Sequence, residues 1–204
     1  ALGENIIYGK FLFDLLQTLK NIANLKELDL GVANVSQLLG SPQEISRAIF
    51  ASKALVKVSI FLSGEELSKE KFFDRMFPPY DAHLFAGHQL QEFSLTLMKC
   101  DGIDLKDIEY YLQSFPTLKR LDLTMNKVNL SFTQITDFLK GFWPPVSLVS
   151  FNLVVRGLAE LNTEQNNEIS DCLKGLRSIK QKSIVFEKLK PHHIPDYVDF
   201  KPEA

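Results

Sequence analysis

A recurring aliphatic triad constrains this chain more than any other feature. The clearest copy is Leu118-x-x-Leu121-x-Leu123, with Asn126 three residues further on. Arg120, Asp122 and Thr124, which alternate with these leucines, are polar. This is expected for a strand in which successive side chains point to opposite faces. The triad therefore predicts a strand with one buried face, and we expect the Asn126 side chain to pair with backbone groups where the chain leaves it.

The triad recurs at nearly constant spacing. Five copies begin at Leu25, Leu55, Leu90, Leu118 and Leu148, at intervals of 30, 35, 28 and 30 residues. A weaker sixth copy, Ile179-x-x-Lys182-x-Ile184, follows 31 residues later. A single triad could arise by chance in a leucine-rich chain, whereas a series with a period of about 20–50 residues indicates a repeat architecture.

The intervals between the triads carry apolar residues at helical spacing. Helices are predicted at 6–19, from Ser41, at 65–73, at 104–115, from Ser131 or Thr133, and from Thr163. Prolines follow two of them, at Pro116 and at Pro144, and proline does not continue a helix. Each unit is therefore a strand, a turn, a helix and a return.

This pattern resembles the leucine-rich repeat superfamily, and within it the ribonuclease-inhibitor-like subfamily with one helix per repeat. The resemblance covers about Leu12 to Phe186 and implies an α/β solenoid, or horseshoe. Parallel strands stack at about 4.8 Å and helices at about 8–10 Å, so the strands line the concave face and the helices the convex face. Members of this superfamily are generally protein-interaction scaffolds.

The chain departs from the family pattern at the strand ends. The asparagine is present only at Asn126, and the equivalent positions hold Ala33, Ser63, Met98 and Arg156. We therefore expect an irregular member, with an array of five to six repeats over 1–186 and a proline-rich tail or cap over 187–204. No Met precedes Ala1, and the segment from Ala1 to Leu19 has the pattern of the middle of a structure. We therefore expect a fragment, a processed chain or the ordered part of a larger protein.

Composition narrows the function. The 23 basic and 25 acidic residues give a net charge of −2, which does not favour nucleic acid. No apolar run reaches the length of a membrane-spanning helix, so no membrane insertion is expected. The two cysteines, Cys100 and Cys172, lie far apart without flanking clusters, which favours the cytoplasm and a role as small core residues.

The outward strand positions supply the candidate partner-binding residues. A first row of alternating charge contains Glu92 and Arg120. The alternative interpretation of this row is that its alternating charges only allow parallel strands to lie together without repulsion. The longest interval, between the triads at Leu55 and Leu90, adds aromatic residues to the candidates. The alternative interpretation is that these aromatic residues only fill a gap between two repeats. The predicted partner-binding residues are Asp29, Phe61, Glu92, Arg120, Asp122, Asn152, Phe77 and Tyr80.

No motif in the chain indicates catalysis. His83, His88 and Cys100 do not have a zinc-ligand spacing, and the nucleotide-binding and hydrolase motifs are missing from the sequence. We therefore expect no catalytic, cofactor-binding or metal-binding residues. The predicted function is a protein–protein interaction scaffold that docks a protein partner on its concave face or on the loop rim, either by itself or as a subunit of a large assembly. The alternative is the substrate-recognition domain of a larger enzyme complex, such as a ubiquitin-ligase adaptor.

Overall fold

The strand of the repeat appears six times in the computed structural model. The strands are β1 (Glu27–Ala33), β2 (Lys57–Ser63), β3 (Glu92–Met98), β4 (Arg120–Asn126), β5 (Ser150–Arg156) and β6 (Gln181–Glu187). The structure describes residues 14, 18–19, 21–22, 24–33, 47, 49–50, 52–63, 88–99, 105, 108, 112, 115–158 and 160–187. Every predicted triad thus supplies a strand, and so does the weak copy at Ile179.

The six strands form one sheet in chain order, and each pairs in parallel with its neighbours. The register places Glu27, Lys57, Glu92, Arg120, Ser150 and Gln181 side by side. A parallel connection between adjacent strands needs a crossover of a dozen residues or more, which the repeat length provides. The predicted α/β solenoid with parallel strands is confirmed.

Two helices are described in full, and both begin at a capping box. Helix α1 (Phe132–Gly141) has Ser131 as its N-cap, so Ser131 rather than Thr133 starts it. Helix α2 (Thr163–Gly175) has Asn162 as its N-cap. Each cap side chain accepts a hydrogen bond from the backbone N–H three residues on, and the backbone N–H of the cap donates in return to the side-chain oxygen of the glutamine at that position. The two bonds satisfy two of the N–H groups that a helix start leaves open.

Helical residues also occur at several positions of the earlier intervals. They are Asp14, Thr18, Leu19, Arg47, Ile49, Leu105, Ile108 and Leu112, consistent with three of the predicted helices. The helix predicted at 65–73 lies outside the described residues. So does the tail predicted at 187–204, except for Glu187, which is the last residue of β6. None of the helices in the described part of the chain has the length and hydrophobicity that crossing a bilayer demands.

The core lies between the sheet and the helix layer and is built from the predicted triads. Leu55, Leu90 and Leu118 are completely buried, as are the central residues Leu121 and Leu123. Phenylalanines extend the core from strand to helix: Phe93 stacks on Phe115 with ring centroids 6.4 Å apart, and Phe138 contacts Phe151 at 6.5 Å. Each such side chain contributes about 1.5–3 kcal/mol by leaving water, so stacked repeats stabilise one another.

Hydroxyl groups also join three of the repeats to the repeat before them. Thr117 Oγ1 donates to the carbonyl of Leu90 at 2.8 Å, and Ser147 Oγ donates to that of Leu118 at 2.7 Å. Ser52 Oγ makes the corresponding bond to the carbonyl of Leu25 at 3.1 Å. These bonds satisfy carbonyls that lie just before the strand ladders begin.

The strand ends correct one expectation. Asn126 is buried, but its side-chain Oδ1 has no hydrogen-bond partner among the described residues, so this oxygen does not accept from a backbone N–H as expected. The chain leaves the strands through left-handed residues instead, with φ of 55° at Lys99, 54° at Lys127 and 100° at Gly157. Their N–H groups bond to the next strand, as from Lys99 to the carbonyl of Asn126 at 2.9 Å. Backbone bonding thus replaces the asparagine side chain at these turns.

Candidate protein-binding face

The outward positions of the strands form three rows on the concave face, which is the face of the sheet opposite the core. The register sets their membership. The charged row holds Glu27, Lys57, Glu92, Arg120, Ser150 and Gln181; the polar row holds Asp29, Ser59, Ser94, Asp122, Asn152 and Ser183; the third row holds Gly31, Phe61, Thr96, Thr124, Val154 and Val185.

The structure brings six of the eight predicted residues together on this face. Glu92 and Arg120 are direct neighbours in the charged row, and Asp122 and Asn152 are direct neighbours in the polar row. Asp29 lies in the polar row on the first strand and Phe61 in the third row on the second strand. The other two, Phe77 and Tyr80, lie outside the described residues.

Between the described residues, the charged row does not form the ladder of ion pairs that its alternation indicates. Arg120 Nε donates to Asp122 Oδ2 on its own strand at 2.7 Å, so the bond runs from the charged row to the polar row. The hydrogen bond to Asp122 raises the pKa of Arg120, the charge of Asp122 adds to this, and Glu92 adds a smaller contribution. Relief of repulsion between neighbouring strands therefore does not fully explain the charged row, because Arg120 pairs within its own strand.

The polar row is short-chained and forms a hydrogen bond between strands at one end. Ser183 Oγ donates to Asn152 Oδ1 at 2.6 Å, joining β5 to β6. Asp29 is exposed at the opposite end of the row. A row of serines, aspartates and one asparagine presents donors and acceptors close to the backbone, which suits recognition of a polypeptide with little loss of side-chain entropy.

The third row is the most apolar part of the face. Phe61, Val154 and both threonines are half-buried, whereas Val185 is 40 % exposed. Val185 and Ser183 were not among the predicted residues because their repeat has Lys182 in place of the central aliphatic residue. The signal that could have found them is the spacing of Ile179, Ile184 and Phe186, which is the same as that of Leu118, Leu123 and Met125 in the clearest repeat.

The helix layer holds a groove between α1 and α2 of about 700 Å³. The Lys140 ammonium contacts the Glu168 carboxylate across it at 2.6 Å. Burial raises the pKa of the Cys172 thiol at its floor, so the group is protonated at neutral pH and is a poor nucleophile. Cys172 belongs to the hydrophobic core, as predicted. In the part of the chain that the structure describes, no three His, Cys, Asp or Glu residues lie close enough to hold a metal ion.

Comparison with known proteins gives a similarity in structure but none in sequence. No protein-family model matches the chain, and no curated protein matches its sequence. Among solved structures, the C-terminal domain of a tropomodulin from Caenorhabditis elegans is similar over 86% of this chain and 83% of that domain, with 13% sequence identity and a TM-score of 0.43.

Proposed function

We propose that this chain is a protein-interaction scaffold that docks a protein partner on its concave face. The observation that carries the proposal is the alignment of three outward rows across six strands, which places polar, charged and apolar side chains on one continuous surface. Six strands at about 4.8 Å spacing give a face on the order of 24 Å wide, enough to accommodate a folded partner or a long peptide. Assignment to the ribonuclease-inhibitor-like subfamily is part of this proposal and is supported by strand intervals of 28–35 residues.

The partner is expected to be a protein because the concave face combines polar, charged and apolar side chains. Polar residues of the second row lie beside Phe61, Val154 and Val185, and an apolar strip flanked by hydrogen-bonding groups is the usual composition of a protein interface. The described charges of the face are of both signs, so a highly charged polymer such as nucleic acid is not favoured.

The test compares surfaces rather than single residues. The tagged chain captures partners from its native source, and mass spectrometry identifies those lost with a concave-face variant carrying Asp29→Ala, Phe61→Ala and Asp122→Ala. The matched control carries Asp137→Ala and Glu164→Ala on the helices. A partner retained by the control and lost by the concave-face variant supports the proposal. Equal retention by both folded variants contradicts it.

A further inference from the structure

A second surface lies where the strands begin. We call it the leading edge and define it as the described connections that enter the six strands: residues 21–22, 24–26, 52–56, 88–91, 115–119, 142–149 and 176–180. It contains five exposed basic residues: Lys26, Lys53, Lys119, Arg177 and Lys180. These connections contain no Asp or Glu. All charged residues of the edge are therefore basic, in a chain whose net charge is −2, and the exposed Glu27 and Glu92 follow directly at the starts of β1 and β3.

The positive charge of this edge is not neutralised by ion pairs among the described residues. The ion pairs of that part of the chain use Arg120, Lys140, Arg156 and Lys174, all outside the leading edge. Lys119 Nζ donates to the Gln91 side-chain carbonyl at 3.0 Å, and this neutral partner leaves its charge uncompensated. A surface of this kind attracts acidic groups and sets the orientation of an approaching partner.

Apolar side chains are exposed on the same edge. Four of the five exposed large hydrophobic residues in the described part of the chain lie here: Ile22 (40 %), Trp143 (76 %), Val146 (98 %) and Val149 (39 %). Pro144 and Pro145 separate Trp143 from Val146 and restrict the backbone of the loop. A loop restricted in this way loses little conformational entropy when it docks, and Trp is a frequent anchor at interfaces.

The register places a cation on each side of an apolar residue. The N–H of Val149 donates to the carbonyl of Lys119 at 2.8 Å, and the N–H of Gln181 donates to the carbonyl of Val149 at 3.0 Å. Val149 is therefore adjacent to Lys119 on one neighbouring strand and to Lys180 on the other. At a strand spacing of about 4.8 Å, the edge presents a cation, an apolar side chain and a second cation in sequence.

We propose that the leading edge docks an acidic segment of a partner protein in which carboxylates alternate with aliphatic or aromatic side chains. The carboxylates meet Lys119 and Lys180, while the apolar side chains cover Val149 and the Trp143 loop. A bilayer is less suited because interfacial binding needs one contiguous apolar face, whereas Ile22 and Val146 lie in the connections to the first and fifth strands. The surface is separate from the concave face and goes beyond the function proposed above.

The chain carries its own reporter, because Trp143 is its single tryptophan. The probe is a synthetic peptide of alternating Glu and Leu, titrated while the emission of Trp143 is recorded. We expect a saturable blue shift that weakens as salt is added. The double variant Lys119→Glu with Lys180→Glu should lower the affinity about tenfold or more. Lys127→Glu, at the far end of the same strand as Lys119, is the control for a change of charge and should retain at least half of the affinity.

Other outcomes overturn the proposal. Absence of saturable binding by the Glu–Leu peptide contradicts it, and so does equal binding by a Glu–Ser peptide, because the apolar contribution would then be missing. Preferential binding to phosphatidylserine-containing vesicles over the peptide would assign the edge to a membrane surface instead. The variant Asp122→Ala should leave peptide binding unchanged, which separates this test from that of the concave face.

Discussion

Arg120 bonds to Asp122 along its own strand, at 2.7 Å, although Glu92 occupies the adjacent register position on β3. The guanidinium thus has two candidate partners, Asp122 on its own strand and Glu92 on β3, and the order of charges along the row does not decide between them. The bond draws Arg120 toward the polar row, so the centre of the concave face carries a compensated pair. Asp29, on the first strand, makes no ion pair with a described residue, although Lys57 lies on the neighbouring strand opposite Glu27.

The Arg120–Asp122 pair should add little to folding stability. The two side chains are 57 % and 24 % exposed, and pairs of this kind contribute about 0.2–1 kcal/mol. A double-mutant cycle with Arg120→Ala and Asp122→Ala, measured by urea unfolding, should give a coupling energy in this range that decreases at high salt. The same cycle with Arg120→Ala and Glu92→Ala should give a smaller coupling. A larger coupling to Glu92 would show that the charged row pairs between strands after all.

The hydroxyl bonds between repeats should contribute measurably to stability. Ser147 Oγ lies 2.7 Å from the carbonyl oxygens of both Pro116 and Leu118. Ser147→Ala should therefore lower the free energy of unfolding by about 0.5–1.5 kcal/mol. Ser178 occupies the equivalent place before Ile179 and is exposed without such a bond to the described residues, so Ser178→Ala is the matched control and should change stability by less. Equal losses in the two variants would contradict this role.

Two glycines should respond to alanine in opposite directions. Gly157 has φ of 100°, a region that side-chain-bearing residues avoid, so Gly157→Ala should destabilise the fold by about 1–2 kcal/mol. Gly141 ends α1, and no atom lies within 4 Å of the place that an alanine methyl group would occupy there. Gly141→Ala should therefore stabilise the helix by up to about 1 kcal/mol. Thermal unfolding of both variants checks the signs, and two changes of the same sign would contradict this account of the turn.

Most of the fold could be predicted from the triads, because burial on one face imposes a visible period on the sequence. Ser131 as a helix start and Cys172 as a core residue followed from equally local signals. The sixth strand was the weakest prediction. Lys182 occupies its central position, yet the backbone still pairs with β5 and the ammonium donates to the carbonyl of Leu176 at 2.9 Å. A lysine is tolerated there because its stem packs while its charged end reaches a polar partner.

The candidate site was only partly predictable for a different physical reason. Which residues share a face depends on the register of the strands. The triads predicted this register, and with it the positions of Asp29, Phe61 and Asn152 on the concave face. The direction of a long side chain depends on a choice among rotamers and neighbours, so the partner of Arg120 could not be predicted. The leading edge was missed because its members are scattered in sequence and meet only when the connections stack.

The Cys172 thiol offers a prediction about pH. Burial raises its pKa in the folded state, so the thiolate, which is the reactive form, is suppressed near neutrality. In a Cys100→Ser background, alkylation by iodoacetamide at pH 8 should be slower for the native chain than for the urea-unfolded chain. Because the folded pKa is the higher one, the associated stabilisation is complete below about pH 8.5 and is lost as the pH rises through the folded value. Replacing the thiol in Cys172→Ser should remove this loss from the alkaline part of the stability profile. A native alkylation rate equal to the unfolded rate would place Cys172 outside the protected core.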